Sequence, residues 1–368
     1  MTVATSAWWG LCLVLFAVAA VAEEPSLATT TLPSLEAPTN HGPGLVELPF
    51  GGLLACWYAG TTEANADSRI LCSASDDGGR TWSPSRIVVA AGDQAVGADA
   101  PNKSLGNVTL YHDRSGRLWM IYGVIERWDW PIIGNLCRNW LCGRVDAMIS
   151  LDQGRTWSPS VRFDDQTGAL PRAKPVSVGA AGDAIPLYLE GAETSFLRVF
   201  DLARAVPGSP PETGRIFRLA ASSLIQPALL VQADGRVRAF LRDSRGRSIY
   251  TAVLDLASGR WTPAIATNLP NPGSAVDAFF DDKGAFILVY NPSNSDRSVL
   301  RLARSNDGLH FDPGCDIAVG QGEVAYPTVI RTADGDWHVV YSSDDKTRIR
   351  HVRFDAAWLD RCFERDNP

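Results

Sequence analysis

An eight-residue phrase that occurs twice constrains this chain more than any other feature. Residues 75–82 read Ser-Asp-Asp-Gly-Gly-Arg-Thr-Trp, residues 150–157 read Ser-Leu-Asp-Gln-Gly-Arg-Thr-Trp, and both continue into Ser-Pro-Ser. A degenerate third copy, Ser-Asn-Asp-Gly-Leu-His-Phe, occupies residues 305–311. Ser and Asp can cap backbone groups in a tight turn, Gly supplies a positive φ, and the aromatic residue can hold the turn against a sheet. Three copies indicate a repeat protein.

A second periodicity consists of hairpins, each with two strand-like runs around a turn that ends in glycine. The six segments are 44–60, 107–124, 180–190, 226–244, 274–292 and 325–343. Their turn glycines recur 49 to 66 residues apart, which suits a four-stranded propeller blade. The repeated phrases follow hairpins, where a third strand would turn into the fourth. We therefore predict an all-β fold, a six-bladed β-propeller with four antiparallel strands per blade, since a β-sandwich or parallel β-helix would not readily produce this alternation.

The propeller topology sorts residues between two faces. The turns from strand 1 to 2 and from strand 3 to 4 share one face, which we call the box face. The starts of first strands and the loops from strand 2 to 3 share the other, which we call the rim face. Polar groups of all six blades converge on the rim face, so we expect the ligand site there. They are His41, residues 63–67, Asn102, Lys103, residues 128–142, Arg172, Lys174, Gln226, Arg242, Asp277, Arg297, Glu323 and Tyr326.

The first residues differ from the rest of the chain. An uncharged apolar run at residues 8–22 ends in Ala-Val-Ala and is followed by Glu23 and Glu24. This pattern predicts a signal peptide at residues 1–22, a propeller domain at residues 23–368, and a periplasmic or secreted protein. No Lys or Arg precedes the run, so a retained anchor stays open, although the run is short for a span of ~20 residues.

Removal of residues 1–22 would leave six cysteines, an even number that suggests disulfides in an exported chain. Cys137 and Cys142 flank a short loop, and Cys315 with Cys362 could join the last blade to the C-terminus. Cys56 and Cys72 would lie on neighbouring strands, where buried free thiols remain an alternative.

The charge of the chain limits its partners. A formal net charge of −7 without a run of Lys or Arg argues against nucleic acid and against a membrane-surface patch. The spacing of the histidines does not suggest a metal site, and we expect no cofactor. After cleavage of residues 1–22 we expect no stable membrane association.

These motifs resemble the sialidase (neuraminidase) superfamily, specifically bacterial and plant sialidase-like proteins with BNR, or Asp-box, repeats. Sialidases hold the substrate carboxylate with three arginines and attack the anomeric carbon with a tyrosine that a glutamate assists. The resemblance implies that Arg242 and Arg297 are the second and third arginines. It also implies that Tyr326, in Ala325-Tyr326-Pro327, is the nucleophile.

Two family positions hold other residues here. His41 stands in the place of the first arginine, and Gln226 in the place of the glutamate. Because an amide cannot take a proton, we expect Glu323 to serve as the base for Tyr326. The family's acid lies in the loop after the second strand, where Glu63 or Asp67 could act, and Glu63 follows the strand more closely.

The expected function is hydrolysis of a terminal, acidic sugar of a glycoconjugate or polysaccharide by an exo-glycosidase of sialidase type. A neutral tyrosine nucleophile suits a sugar with a carboxylate beside the anomeric carbon, because it avoids like-charge repulsion. Facing arginines bind carboxylates well, and Arg172 and Asp277 are further substrate-binding candidates. A non-catalytic carbohydrate-binding propeller, favoured by His41 and Gln226, remains open, as does a propeller glycosidase or lyase with another specificity.

The loop that carries Trp128, Trp130 and Trp140 is a further candidate on the rim face. Its indoles could stack on a sugar ring, or the loop could be a structural cover fixed by its cysteines. The sequence favours the cover slightly.

Overall fold

The computed structural model describes residues 27–127, 140–164, 166–212 and 214–364. Six antiparallel sheets follow one another around a ring, which confirms the all-β, six-bladed propeller. Among the described residues, no helix has the length and apolarity needed to cross a membrane. The predicted signal peptide lies outside the described residues and stays a prediction.

The blades follow chain order, except that the first strand belongs to the last blade. That strand is β1 (Ala28–Thr31). Blade I contains β2 (Thr39–Leu48), β3 (Gly52–Gly60), β4 (Arg69–Ser75) and β5 (Arg86–Ala90). Blade II contains β6 (Asn102–His112), β7 (Leu118–Glu126), β8 (Gly143–Ser150) and β9 (Val161–Asp164). Blade III contains β10 (Ala169–Pro171), β11 (Val176–Ser177), β12 (Asp183–Leu189), β13 (Thr194–Phe200) and β14 (Arg215–Arg218).

The second half of the ring repeats this order. Blade IV contains β15 (Leu224–Val231), β16 (Val237–Asp243), β17 (Ser248–Asp255), β18 (Arg260–Trp261) and β19 (Ile265–Pro270). Blade V contains β20 (Asp277–Phe280), β21 (Phe286–Tyr290), β22 (Val299–Ser305) and β23 (Asp312–Val319). Blade VI contains β24 (Ala325–Arg331), β25 (Trp337–Ser343) and β26 (Arg348–Phe354), and the helix α1 (Ala356–Glu364) follows. In blades III and IV one strand position is divided between two short strands, β10 with β11 and β18 with β19.

The N-terminal strand closes the ring. β1 pairs with β26 and becomes the outer strand of blade VI, with Thr30 opposite His351. Aromatic side chains also join adjacent blades: Phe240 lies 6.0 Å from Phe286, and Phe279 lies 5.6 Å from Trp337, between ring centres. Pairing at the closure and apolar packing between blades together hold the ring shut.

The box turns (residues 75–82, 150–157 and 305–311) connect third to fourth strands, as predicted. In the first, Ser75 Oγ accepts a hydrogen bond from Gly79 N at 2.8 Å, and Asp77 accepts bonds from Thr81 N and Oγ1 at 2.9 and 2.6 Å. Position 79 requires a glycine because its backbone φ is 81°. Trp82 donates its indole N–H to the Thr30 hydroxyl at 3.2 Å, so this turn also fixes the closing strand.

Two of the predicted disulfides are present. Cys56 and Cys72 face each other on β3 and β4 and are bonded, so the alternative of free thiols is wrong. Cys315 on β23 is bonded to Cys362 on α1, which ties the helix to blade V. Cys142 is disulfide-bonded, and Cys137 lies outside the described residues.

Candidate functional site

Irregular first strands shape the centre of the rim face. β2 shifts its pairing register after His41, β15 shifts around Gln226, and β24 shifts around Tyr326. Gln226 and Tyr326 adopt left-handed backbone conformations, with φ of 55° and 58°. Such conformations are costly for residues other than glycine and concentrate at functional sites. A β-bulge redirects a side chain, so we locate the candidate site where these three residues meet.

The Tyr326 hydroxyl is surrounded by hydrogen-bond donors. Arg242 Nη1 donates to it at 2.9 Å, and Gln226 Nε2 donates at 3.5 Å. The same Arg242 nitrogen donates to Gln226 Oε1 at 3.0 Å, while Gln226 Nε2 also donates to the Tyr188 hydroxyl at 3.2 Å. Gln226 therefore orients both the tyrosine and the arginine.

His41 lies against the nucleophile candidate in an uncharged state. Its ring centre is 4.2 Å from that of Tyr326, and its Nδ1 lies 2.7 Å from Ser342 Oγ. Burial, followed by the charges of Lys346 and Arg172, lowers the pKa of His41 well below its ordinary value. A neutral imidazole can donate or accept a hydrogen bond, but it contributes no charge to carboxylate binding.

Arg172 supports Tyr326 from the protein interior. Its guanidinium carbon lies 5.0 Å from the centre of the tyrosine ring, and it donates to the Pro327 carbonyl at 2.9 Å and to Thr328 Oγ1 at 3.2 Å. Arg172 is almost fully buried, and burial lowers its pKa. The Arg172 guanidinium contacts both the ring of Tyr326 and the strand that carries it. These contacts indicate that Arg172 positions Tyr326.

Two of the three carboxylates predicted as catalytic candidates, Glu323 and Glu63, are engaged in ion pairs on the rim face. Glu323 accepts a bond from Arg297 Nη1 at 3.1 Å, and Arg297 Nη2 also donates to the Gly273 carbonyl at 2.8 Å. Glu63 accepts a bond from Lys346 Nζ at 3.0 Å. Within the described part of the chain, Glu323 makes no hydrogen bond to Tyr326, so it would have to leave Arg297 to receive the phenol proton.

Asp67 and Asp277 stabilise the fold around the site. Asp67 accepts bonds from Thr61 N at 3.0 and 3.2 Å, and hydrogen bonding to Thr61, opposed by burial, lowers the pKa of Asp67. Asp277 is almost fully buried, pairs with Lys174 at 2.6 Å and accepts the Val329 N–H at 2.8 Å. Among the described residues neither carboxylate contacts Tyr326, although the charge of Asp277 acts on Arg172.

Two further rim candidates, Asn102 and Trp140, make contacts within the fold. Asn102 Oδ1 accepts a bond from Arg144 at 2.5 Å, within a buried ion-pair network of blade II. Trp140 packs against Leu170 and Tyr188 and is half-buried, which favours the covering role. Trp128 and Trp130 lie outside the described residues.

The box face also has a cavity, of about 700 Å³, between the first two box turns. Asp76, Arg86, Asp152 and Arg155 are among its lining residues. Asp152 is already bonded within its own turn, and none of the site residues predicted from the sequence lines this cavity. We therefore keep the candidate site on the rim face.

Comparisons with known proteins agree with this arrangement. Residues 51–339 match the model of the family described as BNR repeat-like domain. The chain belongs to this family, in the sialidase superfamily. A sialidase of Micromonospora viridifaciens is 26% identical over 353 residues, covering 88% of this chain and 52% of that protein. The chain thus spans about half the length of this relative.

Solved structures share the fold of this BNR repeat-like protein. A crystal structure of a protein of unknown function from Dyadobacter fermentans gives a TM-score of 0.70 at 14% identity, covering 90% of this chain and 100% of that one. The NanB sialidase of Streptococcus pneumoniae gives a TM-score of 0.67 at 13% identity, covering 88% of this chain and 70% of that one. At these identities the likeness shows the propeller fold alone.

Sequence reasoning missed four rim residues of this BNR repeat-like protein. Tyr58 and Tyr188 lie near the ends of the second strands β3 and β12, where Arg242 lies on β16, so the hairpin pattern could have found them. Glu190 follows β12, and burial raises the pKa of its carboxyl. Lys346 lies in the loop between β25 and β26, and only the face assignment of such loops could have indicated it.

Proposed function

We propose that this protein is an exported exo-glycosidase of sialidase type that hydrolyses a terminal, acidic sugar of a glycoconjugate or polysaccharide. The observation that carries the proposal is the Tyr326 phenol, held by Arg242 at 2.9 Å on a strained strand at the centre of the rim face. Membership of the sialidase superfamily supports glycoside hydrolysis as the reaction class. The pattern of residues 1–22 supports a periplasmic or secreted location.

In the proposed first step, Tyr326 Oη attacks the anomeric carbon and forms a glycosyl–tyrosine bond while the bond to the leaving oxygen breaks. Glu63, released from Lys346 and in its protonated form, gives a proton to the leaving oxygen, and the phenol proton passes to a base. In the second step, water replaces the tyrosine at the anomeric carbon, and Glu63 takes a proton from that water. The base returns its proton to the departing tyrosine oxygen, which restores the phenol, so the cycle consumes one water and uses no cofactor.

Ligand binding and base activation are coupled in this scheme through Arg297. Glu323 now pairs with Arg297 at 3.1 Å. A sugar carboxylate that binds Arg297 competes with Glu323 for the same guanidinium, because both are carboxylates. Displacement frees Glu323, three positions before Tyr326, to accept the phenol proton. Gln226 cannot perform this step, because a neutral amide is not a base at physiological pH.

A second candidate function, carbohydrate binding without hydrolysis, is favoured by two observations. Gln226 replaces the assisting glutamate beside Tyr326, and burial keeps His41 neutral. A site with these features could retain its arginines and bind an acidic sugar while the attack of the tyrosine is too slow to matter.

The test is a hydrolysis assay on a fluorogenic α-sialoside, set beside fluorogenic uronides and neutral glycosides. We expect turnover of the sialoside and no turnover of the neutral glycosides. A fluorinated sialosyl donor should also leave a covalent adduct on Tyr326 that peptide mass spectrometry locates. Binding of sialic acid without turnover of any glycoside would replace the hydrolase by the binding propeller, and turnover of a uronide alone would change the sugar.

A further inference from the structure

A strained loop of blade VI reaches the start of blade I beside His41. Asp344, Asp345 and Lys346 all have left-handed backbone conformations, with φ of 53°, 54° and 66°. Three consecutive residues of this kind, none of them glycine, are unfavourable unless other contacts hold them. Contacts with neighbouring residues must therefore hold this loop in its conformation.

Those contacts come from strand β2 on one side and from the segment before β24 on the other. Asn40, the residue before His41, donates its backbone N–H to the Lys346 carbonyl and its side-chain amide to the Thr347 carbonyl at 2.9 Å. On the other side, Asp345 Oδ1 accepts the Glu323 N–H at 2.8 Å. The loop is thus fixed between the residue that should be a cation, His41, and the carboxylate that pairs with Arg297.

The side chain of Lys346 extends into the same region. Its ammonium lies 3.0 Å from Glu63 Oε2, and its side chain is only 26% exposed. Burial opposes its charge, but Glu63 and Glu323 together raise the pKa of Lys346 above its ordinary value. After burial, the charge of Lys346 is the largest influence on His41. A permanent cation therefore lies beside the neutral imidazole.

We propose that Lys346 supplies, from the loop of blade VI, the third cation for the ligand carboxylate, which His41 does not supply. Lys346 would bind the carboxylate together with Arg242 and Arg297. The inference rests on the proposed binding of an acidic sugar and names the residue that determines this specificity.

Two of the three cations, Lys346 and Arg297, already pair with a carboxylate, whereas Arg242 has no ion pair among the described residues. Glu63 balances Lys346 and Glu323 balances Arg297. Within the described part of the chain, the hydrogen bonds of Arg242 go to neutral groups, Gln226 and Tyr326, and Glu190 acts on it through its charge without an ion-pair contact. A bound carboxylate would compensate Arg242 and compete with Glu63 for Lys346. Since an ammonium is a point charge on a flexible stem, Lys346 demands less exact orientation than a bidentate arginine would.

The experiment is calorimetric titration of the full exported chain with N-acetylneuraminic acid and with its carboxyl methyl ester. The variants are Lys346→Met, Lys346→Arg and the matched control Lys283→Met. Lys283 also pairs with one acidic residue, Asp360, at 2.7 Å, but lies in a box-face turn. Equal melting temperatures for all four proteins verify that the variants fold.

We expect the wild type to bind the acid more tightly than the ester. Lys346→Met should weaken binding of the acid by roughly 10- to 100-fold, the usual worth of a charge-assisted hydrogen bond, and leave the ester unchanged. Lys346→Arg should retain most of the preference for the acid, and Lys283→Met all of it. Equal losses for acid and ester, no loss, or a wild type without preference would overturn the proposal.

Failure of the hydrolase would look different. A wild type that prefers the acid, loses that preference in Lys346→Met and cleaves no glycoside refutes the proposed catalysis and leaves the carboxylate site standing. A wild type that cleaves sialosides, with unchanged acid binding in Lys346→Met, refutes the role of Lys346 and leaves the hydrolase standing.

Discussion

The first box turn and the rim-face site around Tyr326 differ in how far apart in sequence their interacting residues lie. In the box turn, the hydrogen bonds of Asp77 reach residues at most four positions away. At the rim face, Tyr326 bonds to Arg242, 84 positions away, and His41 bonds to Ser342, 301 positions away. A short sequence window contains every hydrogen-bond partner of Asp77 and almost none of the partners of Tyr326 and His41. The contacts of Tyr326 and His41 form only when the folded ring brings distant residues together.

The two regions also shift pKa values by different causes. Hydrogen bonds from Thr81 lower the pKa of Asp77, which is exposed, to about 2. Burial lowers the pKa of His41 and raises that of Glu190. Local hydrogen bonding favours the charged form of a group, whereas burial favours the neutral form. The box turn therefore favours the charged form of its carboxylate, whereas at the rim face burial shifts His41 and Glu190 toward their neutral forms beside the ion pairs of Arg297 and Lys346.

The largest expected effect is loss of catalysis in Tyr326→Phe. The substitution removes the attacking oxygen but keeps the ring against His41 and Arg172. We expect kcat on a sialoside to fall on the order of 10³-fold or more, with an unchanged melting temperature. Gln226→Ala should cost much less, because it removes only a neutral partner. Equal activity of wild type and Tyr326→Phe would contradict the mechanism.

Glu63→Gln tests the proton donor and should have the next largest effect. General acid catalysis is typically worth about 10² to 10⁴-fold, so kcat should fall by that order for leaving groups that need a proton. The loss should be smallest for an activated phenol leaving group. Glu190→Gln is the matched comparison on the same face and should leave this dependence on the leaving group intact. If Glu190→Gln shows the dependence instead, Glu190 is the acid.

The sequence separation between interacting residues explains which features could be predicted from the sequence. The box turns and the hairpins depend on neighbouring residues or adjacent strands, so the sequence patterns predicted them. The same patterns placed Cys56 and Cys72 on neighbouring strands but left open whether they form the disulfide that the structure has. Arg242 and Tyr326 were found together because the family pattern supplied their long-range relation. Lys346 and the placement of Arg172 behind Tyr326 depend on contacts across the ring, which no local pattern encodes.

The closing strand shows the same limit. β1 has no partner within its own blade segment, and its pairing with β26 joins the two ends of the chain. Hairpin logic accounts for strands that follow one another, so it could not assign a strand that pairs with the last one. Glu323 illustrates the converse: its closeness to Tyr326 in sequence suggested a direct contact, but Arg297 competes for it across the loop.

A stability effect of intermediate size should come from two buried histidines of blade VI, His338 on β25 and His351 on β26. His338 Nδ1 lies 2.9 Å from His351 Nε2, and His351 Nδ1 lies 3.2 Å from the Thr30 hydroxyl. Burial lowers the pKa of His338 to about 4 and that of His351 to about 3. Arg353 adds to both shifts, and Asp334 and Asp336 oppose that of His338.

Because these folded-state values lie below the ordinary 6.5, the unfolded chain binds more protons as the pH falls. Their stabilisation is complete above pH 6.5 and is lost progressively from there toward pH 4 and 3. We expect the wild type to lose about 2 kcal/mol per histidine between pH 7 and 5, measured by urea unfolding. His338→Gln should lose less over the same interval. Parallel pH curves for the two proteins would show that the pair does not control acid stability.

The smallest effect should come from Asp77→Ala, which removes the two hydrogen bonds to Thr81. Because the turn is exposed, we expect a loss of about 1 kcal/mol at pH 7 by urea unfolding and no change in kcat. The pKa of Asp77 is lowered to about 2, so its contribution is present above pH 3.8 and is lost as the pH falls toward 2. Wild type and variant should therefore converge in stability at acid pH. Asp152→Ala, in the matching turn of blade II, should show the same convergence. A fall in kcat in either variant would mean that the box face and the rim face are coupled, and that a turn satisfied within four residues still determines where the blades place Tyr326 and Arg242.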